Sequence, residues 1–232
     1  MIPVAIVTAA SKGMGAAIAR ELYRRGYRVA VMARSDAIHE LARELEAVAV
    51  QGSVTEPADL ERLVGATLDR HGRIDAVVNH TGHPPKGELL AIPDADWHLG
   101  LDVVLMNVVR MARIVTPVME KAGRGAIVNV SSFAAFEPDP DFPVSAALRT
   151  ALAAFTKLYA DRYAASGIRM NNVLPGFIDS LPEKPERTAR IPMRRYGTMA
   201  EVAKTVAFLL SNDAAYITGQ NILVDGGLVR GL

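Results

Sequence analysis

Short β-branched runs alternate with longer helical patterns from one end of this chain to the other. The strand-like runs cover residues 4–7, 28–32, 47–51, 76–78, 126–130, 169–173 and 222–224. The helical patterns cover 16–25, 57–70, most of 94–121, 145–166 and 199–210. Within 57–70, Leu60, Leu63, Val64, Thr67 and Leu68 share one side, and Pro57 suits a first helical turn. Parallel strands need a crossover between them, and helices supply it. The alternation therefore predicts an α/β fold, a doubly wound parallel sheet of about seven strands with helices on both faces. The 232 residues fit one domain spanning 1–232. The one long irregular stretch, 175–196, carries Pro182, Pro185 and Pro192. Such a stretch is either a lid or a plain surface loop, and residues 180–190 are the expected substrate cover.

Charge and cysteine content narrow the function. With 26 basic against 25 acidic residues the net charge is +1, so neither nucleic acid nor an anionic membrane surface is the expected partner. The absence of cysteine excludes disulfides, thiolate catalysis and cysteine–metal sites. No metal site is expected. No apolar run approaches the roughly 20 residues of a membrane span. Met1-Ile2-Pro3 leads directly into the first strand, without the basic and apolar regions of a signal peptide, so a cytoplasmic protein acting on a small molecule is expected.

The first strand runs into Thr8-Ala9-Ala10-Ser11-Lys12-Gly13-Met14-Gly15, and a helix follows. Glycines let such a turn bring backbone amides at a helix N-terminus close to phosphate. A strand, a glycine turn and a helix in this order predict a dinucleotide site. Lys12 lies in the turn and Arg34 follows the second strand. A carboxylate at that strand end would hold the ribose hydroxyls of NAD; an arginine there favours the 2′-phosphate of NADP.

These segments resemble the short-chain dehydrogenase/reductase family. The turn is similar to its Thr-Gly-x-x-x-Gly-x-Gly, with Ala9 at the first glycine. Asn79-His80-Thr81-Gly82 resembles its Asn-Asn-Ala-Gly. The run from Ile127 to Ser132 resembles the strand that ends in the catalytic serine, and Pro175-Gly176 resembles the motif beside the nicotinamide. The segments from Ile191 to Gly197 and from Ile217 to Gly227 are similar to the family's C-terminal part. The resemblance covers nearly the whole chain and implies a Rossmann-type fold that prefers NADP(H) over NAD(H). It implies cofactor contacts at Thr8, Ser11, Lys12, Gly13, Met14, Gly15, Arg34, Ser53, Val54, Asn79, Gly82, Arg149, Pro175, Gly176, Ile178 and Ser180. Ser53 stands where the family's adenine-contacting aspartate is usual.

The catalytic positions depart from the family. Counted from Ser132, its Tyr-x-x-x-Lys falls on Ser145 and Arg149, and no Tyr-x-x-x-Lys occurs elsewhere. Counted from Trp97, its asparagine falls on Val104, three residues before Asn107. The family's tyrosine protonates the alkoxide formed by hydride transfer. A serine hydroxyl is a far weaker acid and arginine keeps its proton. General acid–base help is worth about 10²–10⁴ in rate, so reduction of a simple ketone should be impaired. Replacement donors are sought near the cleft: His80 and His83 beside Gly82, and Glu137, Asp139 and Asp141 between the serines, with His83 or Asp141 preferred.

Three functions fit these residues. The first is an NADP-dependent reductase with altered chemistry, whose acceptor is a C=N group or a conjugated system. The second is a cofactor-independent lyase or dehalogenase-like enzyme using Ser132, Ser145 and Arg149 as an anion site. The third is a non-catalytic NADP-holding subunit or scaffold. The kept turn favours the first and third. The family resemblance also implies a homodimer or homotetramer, paired through the helices over 94–121 and 145–166. Leu101, Val104, Val108, Met111, Leu152 and Phe155 are candidate interface or sheet-covering residues there.

Overall fold

The computed structural model describes residues 2–231. One seven-stranded parallel sheet carries β1 (Val4–Thr8), β2 (Arg28–Ala33), β3 (Val48–Gln51), β4 (Ala76–Asn79), β5 (Gly125–Val130), β6 (Ile168–Pro175) and β7 (Asn221–Val224). Their spatial order is β3-β2-β1-β4-β5-β6-β7. The helices are α1 (Gly13–Arg24), α2 (Ile38–Leu45), α3 (Pro57–His71), α4 (Asp94–Leu101), α5 (Asn107–Ala122), α6 (Pro143–Tyr163), α7 (Pro185–Thr188) and α8 (Met199–Leu210). The doubly wound α/β domain expected from the alternation is the one observed.

Successive strand residues point to opposite faces, and both faces are covered, which is why the strands read as continuous apolar runs. Val7, Val31 and Val128 pack with Ile18, Leu22, Ile38 and Val206 of α1, α2 and α8. Ile6, Val77 and Ile127 pack with Leu60, Leu63, Met111 and Leu152 of α3, α5 and α6.

Two helices went unread in the sequence. α2 buries Ile38, Leu41, Ala42 and Leu45 at helical spacing, but eight residues between two strands pass for a connection. α7 lies in the proline-bearing stretch and has four residues. The long helical pattern over 94–121 is interrupted by a π-helical turn, Asp102–Met106, between α4 and α5.

Chain order reverses between β1 and β4, and a crevice opens there beyond the carboxyl ends of the strands. The ends of β1, β4, β5 and β6 deliver Thr8, His80, Ser132 and Pro175 to that edge. Among the described residues, no helix is long and apolar enough to cross a membrane.

Candidate active site

The first strand ends in a backbone reversal. Ala9 takes a positive φ of 49° and Gly13 one of 60°. The Ala9 carbonyl fills the space where a Gly15 side chain would stand: a Cβ there would lie 2.4 Å from that oxygen and 2.9 Å from the His80 ring. Any larger residue at 15 would therefore force the turn apart. α1 begins behind this turn with no side-chain cap on Lys12 and no acidic residue in its first turn. Its leading amides and the positive end of its dipole favour an anion. Lys12 and Arg34 are exposed, and neither side chain has an ion-pair or hydrogen-bond partner among the described residues.

Thr8 and His80 join the two strands of the crevice. The Thr8 hydroxyl donates to the His80 carbonyl at 2.7 Å, and the His80 amide donates back to the hydroxyl at 2.9 Å. Thr8 thus shapes the site from within and offers it no free hydroxyl. His80 Nδ1 lies 3.2 Å from the Ala9 carbonyl. Burial, with the charge of Arg149 and the nearby His83, holds the imidazole down at about 4, so it is neutral and donates from Nδ1 at neutral pH.

On the third strand's side, the Ser53 hydroxyl pairs with that of Thr55 at 2.8 Å, and the Ser53 amide donates to the Asp59 carboxylate at 2.7 Å. Val54 packs against the core. Asp59, unmarked in the sequence reading, thus supplies a carboxylate beside the position where the family's aspartate is missing. Asn79 is buried and its Nδ2 donates to Asn129 Oδ1 at 2.8 Å, so its amide group serves the sheet. Ile178 is buried, Gly176 is half-buried, and Gly82 and Ser180 are exposed.

The chemical end of the cleft is formed where β5 leaves the sheet and α6 begins. The Ser132 hydroxyl accepts the amide of Ala134 at 3.3 Å. Ser145 lies in the first turn of α6, and its hydroxyl accepts Arg149 Nε–H at 3.0 Å. Arg149 Nη1 donates to the Val130 carbonyl at 3.0 Å. The guanidinium is buried, 6% exposed, which pushes its pKa down to about 10 while leaving it charged at neutral pH. Val104, where the family count places asparagine, is buried inside the π-helical turn. Asn107 Nδ2 donates back to the Val103 carbonyl, so this amide is committed to its own helix. Structural π-turns frequently mark functional sites, and this one survives although its central residue is a valine.

The two preferred proton donors differ from one another. His83 is exposed, and its pKa lies below the usual histidine range because partial burial, Lys86 and Arg149 disfavour the cation. Asp141 is also exposed, with Arg187 Nη2 at 3.9 Å. The buried carboxylate of this segment is Asp139, paired with Arg190 at 3.2 Å. Arg187 and Arg190 belong to the 180–190 segment. Arg187 lies 4.9 Å from the Phe177 ring centroid and 5.8 Å from that of Phe142, whose ring also meets Lys86 at 4.6 Å. The segment therefore lies folded onto the 139–142 loop, where Asp139 precedes Phe142.

A family profile described as Enoyl-(Acyl carrier protein) reductase matches residues 8–229. The 3-oxoacyl-(acyl-carrier-protein) reductase of Synechocystis sp. is 36% identical over 239 residues, covering 97% of this chain and 96% of its own. The chain belongs to the short-chain dehydrogenase/reductase family. A second family member, the 3-oxoacyl-(acyl-carrier-protein) reductase of Thermotoga maritima, is 34% identical and is covered to 97%, as is this chain. The crystal structure of L-sorbose reductase from Gluconobacter frateurii, complexed with NADPH and L-sorbose, matches with a TM-score of 0.93 and 28% identity, covering 99% of this chain and 97% of that one. Membership extends over the sheet, the phosphate turn and the C-terminal segments alike.

Proposed function

We propose that this chain is an NADP(H)-dependent oxidoreductase whose acceptor needs no strong proton donor at the reacting atom. The observation that carries the reading is the Ser145–Arg149 hydrogen bond at the positions read as the family's tyrosine and lysine, together with a glycine turn that keeps Gly13 and Gly15 ahead of an uncapped helix start. An iminium or other cationic C=N acceptor becomes a neutral amine on hydride transfer and leaves no anion to protonate, and a conjugated acceptor gives an enolate that water can protonate. Either escapes the penalty of losing the tyrosine.

The residues present fit the cofactor. The uncapped start of α1 suits a pyrophosphate, and the closed space at Gly15 matches a turn whose backbone comes close to it. Lys12 and Arg34 have free cationic heads for a 2′-phosphate. The L-sorbose reductase solved with NADPH supports the same preference. When bound, NADPH supplies the hydride. His83 and Asp141, both open to solvent, are the side chains that would carry a proton from bulk water to the cleft.

The missing tyrosine also favours a second reading, a non-catalytic NADP-holding subunit. The resemblance further suggests a homodimer or homotetramer through α5 and α6. Val104 is buried, and Val108, Met111 and Leu152 pack into the core under their own sheet, so pairing would use outward residues such as Leu158, 69% exposed.

The test is a fluorescence titration with NADPH and, separately, NADH, followed by an acceptor screen reading NADPH loss. Tighter binding of NADPH than NADH, with turnover of C=N or conjugated acceptors, is expected. Binding without turnover of any acceptor favours the subunit reading; no binding of either cofactor overturns both. Full turnover after replacing both His83 and Asp141 with alanine would remove them as proton carriers.

A further inference from the structure

Arg149 is a buried cation with no carboxylate partner among the described residues. Among the described residues its guanidinium has two partners, both neutral: the Ser145 hydroxyl and the Val130 carbonyl. A guanidinium has five N–H donors, so three lack a protein acceptor. Every acidic side chain of the nearby 137–141 loop is engaged elsewhere. Glu137 accepts the Arg230 amide at 2.9 Å, Asp139 pairs with Arg190, and Asp141 lies beside Arg187. Arg149's positive charge reaches His80 and His83, each of which it disfavours as a cation.

The serine hydroxyls at the end of β5 and the start of α6 are donors as well. Ser145 Oγ accepts from Arg149, which leaves its own proton to donate, and Ser132 Oγ accepts from Ala134 and likewise keeps its proton. One residue before it, the Ser131 hydroxyl is buried without a partner among the described residues. Arg149 and the Ser145 hydroxyl bonded to it thus present hydrogen-bond donors and, among the described residues, no bonded anion. A buried charge left unpaired is costly, whereas a charge-assisted pair with a planar carboxylate matches the guanidinium fork.

We infer that Arg149, with the Ser145 hydroxyl bonded to it, forms a receptor for a substrate carboxylate, so that the acceptor is a carboxylate-bearing compound anchored beside the reacting group. The substrate class rests on the oxidoreductase reading above; the anion site itself does not. In this arrangement Arg149 binds and orients, and the carboxylate supplies the counter-charge that the protein withholds.

The experiment is calorimetric titration of the whole protein, free and saturated with NADPH, with benzoate and benzamide and with acetate and acetamide. Each carboxylate should bind at least about tenfold more tightly than its amide. Arg149→Gln should abolish that preference, and Arg149→Lys should keep part of it, because lysine retains the charge but not the fork. Equal affinities for acid and amide in the native protein would overturn the inference without using any variant. So would a preference that survives in Arg149→Gln, or displacement of benzoate by an equal concentration of chloride. Should NADPH fail to bind, the oxidoreductase reading falls, and the carboxylate preference is still read on the free protein.

Discussion

Ala9 occupies a left-handed backbone conformation that costs a residue with a Cβ roughly 1–2 kcal/mol, and its neighbours hold it there. Its carbonyl is wedged between Gly15 and the His80 ring, and the next amide, Ala10, donates to Met32 across the sheet at 3.0 Å. Gly15→Ala should therefore weaken NADPH binding by at least about tenfold, read by nicotinamide fluorescence, since the new methyl group meets backbone rather than a movable side chain. His80 leads to a pH prediction. Its native pKa of about 4 lies below the unfolded value of 6.5, so between these limits the unfolded chain binds more protons. Stability should rise with pH across that window, by at most about 1.4 kcal/mol per pH unit, and be constant above it. Melting temperature measured against pH should show this slope, and His80→Asn should flatten it.

At the scale of elements, the 180–190 segment depends on pairing with the 139–142 loop more than on its own four-residue helix. Asp139 is 7% exposed, and Arg190 is its ion-pair partner. Arg190 and Arg187 also lie over the Phe177 ring, at 5.7 and 4.9 Å, contacts each worth about 0.5–2 kcal/mol. Arg190→Ala leaves a buried carboxylate alone, so amide hydrogen exchange should accelerate across 185–190 while the sheet is unchanged; unchanged exchange there would contradict the latch. The proline spacing marked this stretch as distinct, but its partner loop was not legible. Nothing local links Arg190 to Asp139, which is 51 residues away.

At the scale of the whole molecule, four asparagines stand in register across β4 to β7. Asn79 donates to Asn129 at 2.8 Å, Asn129 to Asn172 at 2.9 Å, and Asn172 to Asn221 at 2.7 Å, with Thr156 of α6 bonded to Asn129 and Asn172. The row locks the alignment of half the sheet, because each amide is satisfied only when its neighbours are level. Asn129→Ala should cost about 2–4 kcal/mol by chemical denaturation, since it strands buried groups on both sides.

The sequence by itself determined the sheet, its parallel sense, most of the helices that cover it and the position of the glycine turn. Those follow from short-range periodicity, glycine placement and the need of every strand to bury two faces. Counting along the sequence from Ser132 also led to Ser145 and Arg149, the pair on which the proposed function rests. Which polar groups are satisfied was decided by tertiary structure alone. Among the three acidic residues 137, 139 and 141 that the sequence offered as proton donors, the fold buries Asp139 and leaves Asp141 exposed, and it bonds the Asn79 amide to Asn129. Burial and partnership depend on residues tens or hundreds of positions apart, and only the closed chain brings them together. The same closure leaves Arg149 inside the protein bonded to one hydroxyl and one carbonyl, with no carboxylate partner among the described residues.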